Sequence, residues 1–262
     1  MPYQITIVSI IFAVVNVTAA FQPGSPSSLH CEFRDSIYNQ SRDSVKIYSL
    51  YNNTLNSYSS IVPQLHKLYW MARAHFLLGW YYYHTTGNKK SAKKQWKIML
   101  KYTEEALKIE EFSEGYRLRA EAISHLCMVT SVSWVLINGL RIKGNCEKAL
   151  ELNPNNAKAM FLLGASKTYP PSWFGGNTNK AIKILHKALK LQYQELNDTY
   201  NIYTAMGVAF LKEKKYRKAL RWLEKSVEIY PKNEFSNAMI LKAKKKNIID
   251  LQKYYPPEEE DD

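Results

Sequence analysis

Within the segment Tyr200 to Asn233, small and apolar residues stand at intervals that suit two antiparallel helices and little else. Gly207, Phe210, Ala219, Leu223, Ser226 and Pro231 mark the spacing. Gly207 and Ala219 fall where the two helices approach closest, and a larger side chain would push them apart. Phe210 and Leu223 fill the space beside them, and Pro231 ends the second helix. The same pattern starts again upstream at Ala157, with Gly164 and then, after an insertion, Ala181, Leu185 and Ala188. Self-similarity of this kind points to a stack of helix hairpins, each burying its apolar face against the next.

The spacing resembles the tetratricopeptide repeat (TPR), a unit of about 34 residues. A third, partial copy closes with Lys148-Ala149-Leu150-Glu151-Leu152-Asn153-Pro154, and its glycine position is Thr130. A fourth begins near Ala72, with Leu78, Gly79 and Tyr82 in place and a long second helix from about Lys90 to Ile109. The resemblance implies an all-α solenoid of about four units, near residues 72–109, 123–156, 157–193 and 200–233. Capping helices are expected at both ends: one or two over Glu32 to Leu65, and a basic one over Glu234 to Tyr254. The helical domain then covers 31–255, with a linker at 21–30 and an acidic tail at 256–262.

In TPR proteins certain first-helix positions face the concave groove. Carried onto this sequence, they give Arg73, Phe76, Trp80, Tyr83 and His84 from the first unit. The second contributes Cys127, Ser131 and Trp134, and the third Lys158, Phe161, Thr168 and Tyr169. The last contributes Asn201, Thr204, Val208, Leu211 and Lys212. Carboxylate-clamping TPRs use a lysine and asparagine clamp, whereas Thr204 and Val208 stand at positions 5 and 9 of the best repeat here, so that clamp is not expected. The lining is aromatic and apolar with a few cations, which suits a protein helix or a small amphipathic ligand. The alternative is that these aromatics pack against a terminal helix of the chain itself.

The insertion between the helices of the third unit reads Pro170-Pro171-Ser172-Trp173-Phe174-Gly175-Gly176-Asn177. Two prolines stiffen it and two glycines permit positive φ. It serves either as a binding lip or as a turn whose aromatics staple the next helix. Together with the repeat end before it and the Lys180-Ala181 to Lys187-Ala188-Leu189 helix after it, the loop resembles the extracytoplasmic TPR proteins of TRAP transporters, their T component. Asn177 stands where Asp is usual in that family. The resemblance implies an oligomeric protein that assists uptake of a small organic ligand.

Residues Ile5 to Val17 form an apolar run whose helix would span about 20 Å, short of the roughly 30 Å hydrocarbon core of a bilayer. Small residues at Val17-Thr18-Ala19-Ala20 and a turn-rich Phe21 to Pro26 follow. Residues 1–20 therefore read as a secretory signal peptide, or as an N-terminal anchor if uncleaved. The expected location is periplasmic or otherwise extracytoplasmic.

The net charge is +13 although Glu258 to Asp262 are all acidic, so the helical part is more basic still. Such a balance favours anionic partners, including acidic proteins and membrane surfaces. Nucleic acid is not expected behind an export segment. Self-association and membrane-surface contact are further expectations. Of three cysteines, Cys127 and Cys146 could pair or remain two buried thiols.

No catalytic chemistry is expected. The sequence has no Gly-x-Ser-x-Gly elbow, phosphate loop or His-Glu-x-x-His motif. Gly87-Asn88-Lys89-Lys90-Ser91 reads as a helix–helix turn. His66, His75 and His84 recur every nine residues, which rotates each by about 180° on one helix, so they do not converge on a metal. No cofactor or metal is expected.

Overall fold

In the computed structural model, residues 27–191 and 195–245 are described. They form eleven α-helices and, among these residues, no strand. In order these are α1 (Ser28–Tyr38), α2 (Ser44–Ser59), α3 (Gln64–His84), α4 (Lys89–Ile109), α5 (Ser113–Leu126) and α6 (Val132–Leu152). Then come α7 (Ala157–Thr168), α8 (Thr178–Ala188), α9 (Leu196–Lys212), α10 (Tyr216–Ile229) and α11 (Glu234–Lys244). Residues 1–20, expected to be an export segment, and the acidic tail at 256–262 lie outside the described residues.

Local sequence explains most of the boundaries. The side chains of Ser27, Asp43, Asn88, Asn156, Asn177 and Asn233 each accept an amide hydrogen bond from the third residue of the helix that follows. This satisfies a donor that has no partner inside the helix. Between α3 and α4 the chain turns at Gly87, whose φ of 69° favours glycine.

Four hairpins, α3/α4, α5/α6, α7/α8 and α9/α10, stack in chain order, and α11 packs on α9 and α10. The hairpin glycines mark the closest approaches. A Cβ on Gly207 would lie 2.5 Å from Leu223 Cγ, and one on Gly164 would lie 2.8 Å from Leu185 Cδ2. At Gly79 it would run into the indole of the fully buried Trp96. Ala181, Leu185, Ala188, Ala219 and Leu223 are fully buried as the repeat pattern requires. The hairpin α5/α6 is framed differently from the expected 123–156 unit. Its first helix starts at Ser113 and its turn is Cys127–Ser131, so Thr130 sits in the turn, bonded to the Leu126 carbonyl at 2.6 Å. Cys127 and Cys146 are free thiols, and burial pushes both up to about 12.

Candidate functional site: a groove filled by the first helix

The first helices of the four hairpins run parallel and line the concave side. Tyr69 near the start of α3 donates to Glu114 at the start of α5 at 3.1 Å, and Phe76 meets His125 further along at 5.1 Å. The Asn156 amide before α7 donates to Ser113 Oγ and Glu114 Oε1, both at 2.8 Å. Lys212 at the end of α9 donates to the carbonyls of Thr168, Tyr169 and Pro170 at 2.6, 2.9 and 3.1 Å. All four turns between first and second helices therefore lie at one end of the stack.

Helix α1 lies in this groove. Phe33, Ile37 and Tyr38 have no exposed surface. Tyr38 stacks on Trp80 of α3 at 5.4 Å and packs on Tyr200 of α9 and Tyr230 at 5.5 and 5.1 Å. Its hydroxyl accepts from the Asn197 and Asn201 amides at 3.4 and 3.2 Å, while its carbonyl accepts from Asn233. The polar side of α1 meets a buried charge network centred on Glu195, the residue before α9. Glu195 accepts from Arg73 at 2.6 Å and Lys158 at 2.5 Å. Arg34 and His30 of α1 approach its other oxygen at 3.4 and 3.5 Å. Arg117 of α5 pairs with both Glu114 and Glu121 at 2.6 Å, and Arg73 reaches Glu121 at 3.8 Å.

Burial alone would raise the Glu195 carboxyl, but Arg73 and Lys158 hold it well below the usual range. Glu114 is likewise held at about 2, by Arg117 and Lys158 against the cost of burial. Asp198 goes the other way: burial lifts it to about 6, more than Lys158 at 3.4 Å offsets. Burial pulls the His30 imidazole below its ordinary value, with Glu195 opposing. Four cations, Arg34, Arg73, Arg117 and Lys158, face the acids Asp35, Glu114, Glu121, Glu195 and Asp198. A groove whose cations are all matched by acids has no spare cation for a ligand carboxylate, and its ions compensate one another's desolvation.

Arg73, Phe76, Tyr83, Thr204, Val208 and Leu211 are buried, and Trp80 is half-buried under Tyr38. Lys158 faces Glu195, and Phe161 packs, half-buried, against the α9/α10 core. Trp134 lies on α6, the second helix of its hairpin, half-buried against the α3/α4 core, so it does not join the others. Tyr169 and Lys212 hold the base of the 170–177 loop, where burial pulls the lysine down to about 8. Within that loop Ser172–Phe174 form a 3₁₀ turn closed by Gly175 at φ 86°, and a Cβ on Gly176 would collide with the Pro170 carbonyl oxygen. Trp173 projects from it, 76% exposed. The residues absent from the sequence-derived lining are the acids Glu114, Glu121 and Glu195 and their partners Arg34 and Arg117. Their charge was visible, but nothing in local spacing pairs Arg34 with Glu195.

His66, His75 and His84 do not converge. His75 bonds Tyr51 and Gln95, at 3.2 and 2.7 Å, and His84 lies on Trp80. Among the described residues no group of three His, Cys, Asp or Glu is placed to hold a metal, and no helix is long and apolar enough to cross a membrane.

A family model described as tetratricopeptide repeat matches residues 200–233. Among solved structures, the chain is similar to a thermophilic TPR protein of Thermus thermophilus, with a TM-score of 0.50 and 21% identity. That match covers 79% of this chain and 98% of the other. No curated protein sequence matches the chain. The fold is that of a TPR α-solenoid, residues 200–233 are a tetratricopeptide repeat, and such a fold suggests a protein-binding or adaptor role.

Proposed function

We propose that this protein is an extracytoplasmic adaptor that recruits an acidic protein partner through its basic outer surface. The groove is excluded as the main contact because α1, the Glu195 network and the aromatic stack already occupy it. The observation that carries the reading is a lysine stripe on α8. Lys180, Lys183 and Lys187 are exposed at helical spacing, opposite the buried Ala181, Leu185 and Ala188, and exposed Lys190 follows in the turn after the helix. From Leu152 to Gln194 the sequence has no Asp or Glu to neutralise them. Location outside the cytoplasm is supported by the Ile5 to Ala20 segment. A role accessory to solute uptake is supported by the resemblance of the Pro170 to Gly176 region to the TRAP T component.

Pull-down from the native envelope at low and high salt, with wild type and a Lys187→Glu/Lys190→Glu variant, tests the reading. Recovery should fall steeply with salt and in the variant, because exposed charges are screened within about 10 Å at 0.1 M. A partner retained through both changes sinks the basic-surface reading. Recovery of cytosolic partners alone sinks the export part.

A further inference from the structure

The four second helices begin at the turn end of the stack, and none carries an acidic residue in its first turn. Helix N-termini favour carboxylates there, because the backbone dipole is positive at that end. This chain instead places Lys89 and Lys90 on α4, Lys180 on α8, and Arg217 and Lys218 on α10. That choice adds side-chain cations to the positive ends of the helices.

Helix α6 has no charged residue in its first turn, and it differs from its neighbour in length as well. It has 21 residues where the adjoining α7 has 12, so about two and a half turns of α6 run on past its neighbour. The overhang is aliphatic. Val132, Leu136, Ile137 and Leu140 are 54, 57, 74 and 84% exposed, within about 140° of helix arc. The run Ser131 to Leu140 has no charge, and Arg141 and Lys143 follow it. No acid occurs from Ala122 to Cys146 either. Trp173, the exposed tip of the neighbouring turn, lies at the same end of the stack.

We propose that this turn end docks on the surface of an anionic phospholipid bilayer. Val132, Leu136, Ile137, Leu140 and Trp173 insert at the headgroup–acyl boundary while the flanking lysines and arginines face lipid phosphates. Protruding aliphatics, an exposed tryptophan and a rim of cations are the combination that holds a peripheral protein at a bilayer interface. The apolar residues form a ridge rather than a pocket, which suits a fluid surface that yields around it. Nucleic acid would leave the aliphatic ridge in water. The docking residues differ from Lys187 and Lys190, so the adaptor reading and this one stand or fall separately.

Flotation of the full-length chain with vesicles tests the assignment, using phosphatidylcholine alone or phosphatidylcholine mixed with phosphatidylglycerol. The wild type should float with the mixed vesicles and remain behind with the neutral ones. Leu136→Asp/Leu140→Asp and Trp173→Ser should each lower the bound fraction at least about tenfold, with unchanged circular dichroism. Val45→Asp, at an exposed site on α2, should leave binding unchanged. Equal flotation of the Leu136/Leu140 variant overturns the proposal, since any binding would then come from elsewhere in the chain. So does equal binding to neutral vesicles. If wild type binds no vesicle but forms a dimer in light scattering that the double variant abolishes, the ridge is covered by a second copy. If an acidic protein is lost instead, the ridge is a protein site.

Discussion

Replacing Tyr38 with alanine should remove the main apolar anchor of α1 in the groove. The ring is fully buried and contacts Trp80, Tyr200 and Tyr230, so truncation leaves a cavity among aromatics that cannot collapse freely. Aromatic-to-alanine changes at such sites cost about 3–5 kcal/mol. The Asn197 and Asn201 amides also lose their shared acceptor, and a buried donor left unsatisfied costs about 1–3 kcal/mol. Tyr38→Phe isolates this second loss and should therefore cost about 1–3 kcal/mol. Against a typical domain stability of about 5–15 kcal/mol, the alanine variant should unfold at a much lower urea midpoint. Urea titrations followed by far-UV circular dichroism measure both. A double-mutant cycle with Trp80→Ala should give a coupling of about 0.5–1.5 kcal/mol for the stacked pair. If Tyr38→Ala lay within about 0.5 kcal/mol of wild type, the surface-mutation range, α1 would not be seated in the groove. The occlusion argument would then fail.

The glycines should respond to alanine with opposite signs. Gly79→Ala drives a methyl into Trp96 and should cost about 1–3 kcal/mol. At Gly144, on α6, a Cβ meets nothing within 4 Å, so Gly144→Ala should stabilise by about 0.5–1 kcal/mol in thermal melts. Glu195→Gln leaves Arg73 and Lys158 without their carboxylate and should cost about 3–5 kcal/mol in denaturant titration. Stability should fall on acidification. Burial holds His84 at about 3, below its ordinary 6.5, so from pH 6.5 downward the unfolded chain takes up that proton first. Each pH unit in that window costs about 1.4 kcal/mol from this group. His30, His75 and His125, also lowered by burial, act in the same direction. Asp198, raised to about 6 from 3.8, opposes them only within that interval, so urea midpoints at pH 7 and pH 5 should still differ in favour of pH 7. Finally, Lys212→Ala removes the donor that ties three carbonyls at the base of the 170–177 loop, and limited chymotrypsin digestion should then cut faster at Trp173.

The repeat was legible because its determinants are local. Gly207 and Leu223 lie within one hairpin, as do Gly164 and Leu185, and each glycine sits against the bulky residue that its spacing implies. The long second helix was also visible: expected from about Lys90 to Ile109, it runs Lys89–Ile109, uninterrupted by Gly or Pro. The α5/α6 hairpin was framed late because its first helix has a degenerate pattern, in which Gly115 packs on Leu107 and Phe112 rather than on its own second helix. The C-terminal helix ends at Lys244 with Lys245 as its C-cap, and residues 246–254 of its expected span lie outside the described residues. For the N-terminal region the sequence implied one or two capping helices without placing them. The contacts that put α1 in the groove, Arg34 with Glu195 and Tyr38 with Asn201, are separated by 161 and 163 residues. No periodicity encodes a pairing at that distance. The overhang of α6 was hidden for a related reason: an apolar helix stretch looks like core until the length of its neighbour is known.

Because α1 touches both α3 and α9, the stack is closed into a loop. An open solenoid can gain or lose a hairpin with little effect on distant repeats, since each unit contacts only its neighbours. Here one more hairpin would carry α9 away from α3 by the thickness of a helix layer, about 8–10 Å. Helix α1 would then be left holding one side only. The same 11-residue helix that occupies the groove therefore acts as a ruler. It fixes the number of repeats this sequence can tolerate, and lengthening or shortening the array would first require α1 to be redesigned.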